Sequence, residues 1–177
     1  MILLDPDLEP EPSPRGRRLS TRGLAGFLRQ AQTAVRLVGE VNVLLTTDRA
    51  IRRINREYRG KNEATDVLSF PAPEPVRDQR RKQERIAGDL AISVDTARRQ
   101  GTACGHSLGV EVKVLMLHGL LHLAGYDHES DEGRMARRER RLRAQLGLPQ
   151  GLIERASRPT LRQKTRRDGA SIRSETR

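Results

Sequence analysis

The segment "VEVKVLMLHGLLHLAGYDH" (110–128) constrains this chain more than any other, because its most hydrophobic stretch also carries three of its four histidines. Val112, Leu115, Met116, Leu120 and Leu123 fall on helical periods, which predicts a helix from Val110 to Leu123 that Gly125 ends. His118 and His122 lie four residues apart, so both side chains leave one helix face a turn apart. A reversal through Tyr126 and Asp127 then brings His128 back against the pair. Three neutral imidazoles meeting in this way form a tripod for one Zn²⁺, with a fourth position open to water. Three histidines without a carboxylate favour zinc over Mg²⁺ or Ca²⁺.

Bound zinc lowers the pKa of its water and polarises a phosphoryl oxygen. The zinc-peptidase pattern has Glu directly after the first histidine, and this chain has Gly119 there. That glycine takes away the peptidase's general base and lets the backbone run close to a metal or substrate. Glu129, or an acid elsewhere in the chain, would have to stand in for it. Asp127 can orient a ligand imidazole, accept a proton or cap the turn, the first being preferred.

Around this motif the pattern alternates between strands and helices. "MILLD" reads as a short strand, followed by a polar, proline-containing linker. Apolar residues at helical spacing predict a helix from Ser20 to Val38, "EVNVLLTT" a buried strand, and residues 47–60 a helix capped by Thr47 or Asp48 and ended by Gly60. "TDVLSFP" (65–71) and "GDLAISV" (88–94) read as strands flanking a charged loop at 72–86. A short helix and a glycine turn follow at 95–109, with Cys104 as a small buried or half-buried residue. A last amphipathic helix starts at a Ser130 cap, with Met135, Leu142 and Leu146 as its apolar stripe. The elements alternate too irregularly for a doubly wound sheet, so the fold class is α+β, one small domain over 1–149. Residues 150–177 carry eight Lys or Arg against three acidic residues with no apolar period, and read as a disordered basic tail.

The net charge is +11, which favours a polyanionic partner, nucleic acid before membrane. With only two Phe, two Tyr and no Trp, such a partner is gripped through its backbone more than by base stacking. The first sixteen residues lack the basic start and apolar run of a secretory signal, no stretch is long enough to cross a bilayer, and a single cysteine suits a reducing cytoplasm. Asp66 and Asp89 sit at strand starts, where each caps backbone or faces a cleft, while Ser69 and Thr65 read as structural, with no histidine near enough in sequence to suggest a serine nucleophile. His106 is an alternative proton carrier. Arg59, just before Gly60, suits the negative end of a helix dipole on its own.

The motif "HGLLHLAGYDH" resembles that of the bacterial YbeY family, single-strand-specific endoribonucleases also described as rRNA maturation factors. "INREYRGKNEATDVLSFP" (54–71), "GDLAIS" (88–93) and Met135 agree with it, so the resemblance spans about 37–148. It implies a mixed central sheet with surrounding helices and a zincin-like histidine-bearing helix, with His118, His122 and His128 as zinc ligands. It further implies that Arg59 contacts RNA phosphate. The activity implied is zinc-dependent cleavage of single-stranded RNA in the cytoplasm, at the 3′ end of 16S rRNA and in ribosome quality control. The partners are the small ribosomal subunit, with a ribosomal protein and an assembly GTPase as candidates, and no membrane. The insert around 72–86 and the tail after 150 depart from the family core. A zinc metallopeptidase-like hydrolase and a non-catalytic ribosome-associated RNA-binding factor are the alternatives.

Overall fold

The computed structural model describes residues 1–8, 19–73, 86–128 and 130–149. The linker, most of the charged insert, Glu129 and the basic tail lie outside the described residues.

Strand β1 (Ile2–Leu4) opens the chain. Helix α1 (Thr21–Val35) starts where the Ser20 hydroxyl accepts a hydrogen bond from Gly23 N–H. It ends three residues before the expected Val38, because Arg36 turns left-handed at φ 67° and its N–H closes back on the last turn. Val38 is left 72 % exposed and adds nothing to the apolar stripe. Strand β2 (Glu40–Thr46) turns Val41, Val43 and Leu45 to one face, the period of two that a strand imposes. Helix α2 (Asp48–Arg59) is capped by Thr47 and ends in left-handed Gly60, as expected.

Strand β3 (Val67–Pro71) runs into β4 (Ile86–Ser93), and α3 (Val94–Cys104) follows directly with Ser93 as its cap. Cys104, at the end of that helix, is exposed rather than buried. Helix α4 (Leu108–Leu123) begins two residues before the expected Val110, since Ser107 supplies the cap. Helix α5 (Arg134–Leu146) begins four residues after the expected Ser130. The Ser130 hydroxyl donates instead to Asp127, and it is the Asp131 carboxylate that accepts from Met135 N–H at 2.8 Å.

The sheet order is β1-β2-β4-β3, with β1, β2 and β4 parallel and β3 antiparallel to β4. Pro71, with no N–H to give, ends an edge strand where none is needed. This is the mixed central sheet of an α+β fold. On one face Val43, Leu45, Leu90 and Ile92 join α1 and α4 in the main core. On the other, Ile51 of α2 packs on Leu68 and Ala91. Helix α4 is covered by β3, β4, α1, α3 and α5, so its apolar residues point in every direction rather than along one stripe. Among the described residues no helix is long and apolar enough to cross a membrane.

Burial on all sides makes α4 intolerant of truncation. Leu117→Ala is expected to lower the unfolding free energy by ~2–5 kcal/mol. Val38→Ala, outside the core, should change it by less than ~0.5 kcal/mol. Urea titrations of both variants measure the contrast.

Candidate metal centre

The site is built on the last two turns of α4 and the loop that follows. His118 and His122 leave the helix one turn apart, with their Nε2 atoms 3.1 Å apart. Gly125 then takes φ +84°, and the N–H groups of Gly125 and Tyr126 bond back to the carbonyls of His122 and Leu121. That left-handed step costs glycine little and other residues more, and it turns His128 back over the helix end. The ring centroids lie 4.8 Å apart for His118 and His122, 5.4 Å for His118 and His128, and 5.3 Å for His122 and His128. One nitrogen from each ring falls within 4.8 Å of the other two.

This donor set fits a zinc ion. Imidazole nitrogens at about 2.0–2.1 Å from a tetrahedral zinc are about 3.3 Å from one another, close to the 3.1 Å between His118 and His122. The three rings form a tripod and leave a side open to a cleft of ≈ 460 Å³. Burial, then the positive charge His118 and His128 would carry, push the His122 imidazole from its ordinary 6.5 down to about 4, with Asp127 opposing. At neutral pH His122 therefore offers a lone pair rather than a proton.

Arg59, Thr65, Asp66, Val67, Ser69 and Asp127 line the cleft beside the histidines. Arg59 reaches it from the exposed C-terminus of α2, while Asp127 is exposed at the turn and accepts a hydrogen bond from Ser130 at 2.8 Å. Asp66 is engaged structurally: its carboxylate accepts from Val67 N–H and from the Gln100 side chain. Asp89 pairs with Asn42 and does not line this cleft. Nor does His106, whose Nε2 contacts the buried Glu111.

Gly119 also has a packing role that its sequence position did not show. A Cβ there would come within 2.8 Å of Leu90 Cδ2 and 3.2 Å of Ser69 Oγ. The glycine lets α4 lie close on the sheet, where a side chain would press on Leu90 and Ser69. Sequence reasoning also passed over Glu139 of α5, buried with its Oε1 3.6 Å from His118 Nδ1. The signal was present, since Glu139 stands four residues after Met135 and three before Leu142, in the middle of the apolar stripe.

Comparison with known proteins agrees with this geometry. The family model described as "Endoribonuclease YbeY" matches residues 17–147. The chain is 50% identical over 129 residues to Endoribonuclease YbeY of Solibacter usitatus, covering 73% of this chain and 81% of that protein. It is 46% identical over 141 residues to the protein of the same name from Koribacter versatilis, covering 80% and 87%. The solution structure of TM1509 from Thermotoga maritima is similar with a TM-score of 0.51 over 82% of this chain and 89% of that one. At 24% identity that likeness concerns the fold alone.

Two outcomes test the local physics. Gly119→Ala should destabilise the protein by ~1–3 kcal/mol through overpacking against Leu90, read by urea unfolding. For the metal-free protein, the unfolded chain binds more protons at residue 122 than the native one does between the unfolded value of 6.5 and the folded value of about 4. Stability is therefore expected to fall as pH drops through that window. His122→Gln should remove this part of the slope; an unchanged slope would contradict the cause assigned.

Proposed function

Because the chain belongs to the YbeY endoribonuclease family, we propose that it is a zinc-dependent endoribonuclease that cleaves single-stranded RNA. Its setting is the cytoplasm, in maturation of the 3′ end of 16S rRNA and in quality control of the small ribosomal subunit. A ribosomal protein and an assembly GTPase are the partners that would bring it there. The observation that carries the chemistry is the convergence of His118, His122 and His128, donor atoms within 4.8 Å, on the cleft that Arg59 also lines.

Zinc in this tripod supplies a water of lowered pKa and Lewis-acid stabilisation of a phosphoryl oxygen. The chain's own residues do the rest. His118, His122 and His128 hold the ion with neutral imidazoles. Arg59 faces the phosphate and neutralises the charge that develops on it, a task suited to the planar guanidinium fork. Asp127 lies next to His122 in charge terms, favouring its protonated form. Its first role is to orient and tune the ligand set, with proton acceptance second. The catalytic domain is residues 1–149, and the basic tail from 150 grips RNA without sequence preference. The absence of a glutamate at position 119 disfavours the peptidase alternative.

Metal analysis combined with cleavage of a single-stranded RNA tests this reading. The wild type should hold one zinc and cleave. His122→Ala should lose both. Arg59→Glu should keep zinc but cleave about 10²–10³-fold more slowly. Cleavage retained by His122→Ala would point to a contaminating ribonuclease and sink the catalytic reading. Product ends identify the nucleophile: a 2′,3′-cyclic phosphate means the substrate's own 2′-OH, a 3′-hydroxyl means water. Truncation after Pro149 should weaken RNA binding and flatten its dependence on salt, by a slope of about 0.7 for each lost phosphate contact. Zinc content should be unaffected; an unchanged salt slope removes the tail from the interface.

A further inference from the structure

Glu139 is a carboxyl group in an aliphatic core. It is 1 % exposed, on the face of α5 that also carries the buried Met135 and Leu142. Neither of its oxygens has a hydrogen-bond partner, and neither does His118 Nδ1, another buried polar atom. The two unsatisfied groups face each other: Glu139 Oε1 is 3.6 Å from His118 Nδ1, just beyond hydrogen-bond length. On the opposite side of the same ring, His118 Nε2 is turned to the histidine cluster, 3.1 Å from His122 Nε2. The His118 imidazole thus spans from the cleft to Glu139.

A lone buried carboxylate is costly, and so is a lone buried ring nitrogen. Their juxtaposition makes sense for a state in which Nδ1 carries the ring proton and donates it to Glu139. That tautomer leaves the Nε2 lone pair free for a metal. A carboxylate behind the ring also makes the nitrogen a better donor and offsets part of the charge of a divalent ion held by three neutral ligands. We propose that Glu139 is a positioning residue for the metal centre, fixing the tautomer and orientation of His118. His122 and His128 lie nearer the opening and have no such buried carboxylate against them among the described contacts. The inference rests on the metal-site reading above and not on which substrate is cleaved.

The three possible replacements separate charge, hydrogen bonding and packing. Glutamine keeps an acceptor and loses the charge, leucine loses both while filling the space, and aspartate draws the carboxylate back by a methylene. Zinc affinity, measured by competition with a chromophoric chelator, should fall about 10–100-fold in Glu139→Leu, with Glu139→Gln and Glu139→Asp in between. Unfolding of the metal-free proteins should show Glu139→Leu and Glu139→Gln as stable as the wild type or more so, since each removes a buried carboxyl group with no hydrogen-bond partner. A merely structural role gives the reverse, a loss of metal-free stability. In ¹⁵N-histidine spectra of the zinc-loaded wild type, His118 should carry its proton on Nδ1. Zinc affinity in Glu139→Leu within twofold of the wild type, or a zinc-loaded His118 protonated on Nε2, overturns the proposal. A wild type that takes up no zinc overturns the metal-site reading and this inference with it, so the two failures are told apart by the wild-type titration.

Discussion

The fold depends on how closely α4 lies against β3 and β4. That approach is possible because residue 119 has no side chain: a single methyl group there would overlap Leu90. Close packing keeps His118 buried, at 3 % exposed. It also fixes which residues share the cleft, since Ser69 of β3 sits against Gly119 while Val67 and Asp66 continue toward the histidines. The residue that removes a peptidase's base is thus the residue that builds this site. Steric fit and chemistry are settled at one position.

Charge is arranged in layers around that helix. Where it faces the cleft, the His122 imidazole is pushed down to about 4 mainly by burial. Behind the histidines, in the core, lies the carboxyl of Glu139, and in front, at the exposed end of α2, the guanidinium of Arg59. A cation held there, as proposed, would present a positive face outward to a phosphodiester. The net charge of +11 extends the same preference over the whole chain.

Much of this was legible in the sequence, for reasons that differ by residue. The histidine tripod followed from the i,i+4 spacing and the Gly125 break, because both are local geometry. Element types followed from periodicity and from Thr47, Gly60 and Ser20, whose capping roles depend on the nearest turn alone. Boundaries were less legible where backbone choices compete. Arg36 ends α1 in a left-handed conformation that its residue type does not announce, and Asp131 rather than Ser130 serves the start of α5. That Gly119 also lets α4 close on the sheet was not legible, because its neighbour Leu90 is 29 residues away in the chain. Glu139 was passed over for the same reason, since only the packing of α5 on α4 brings it to His118. Long-range contacts are what a single sequence states least directly.

The central claim is that three histidines, and no other side chains, hold one zinc with a side open to the cleft. X-ray absorption at the zinc edge of the loaded protein tests it most directly. The expected result is one zinc per chain with three imidazole donors and one oxygen at about 2.0–2.1 Å, and loss of that signature in His128→Ala. A zinc shell containing sulfur, a shell closed by four protein ligands, or a spectrum unchanged by His128→Ala would contradict it.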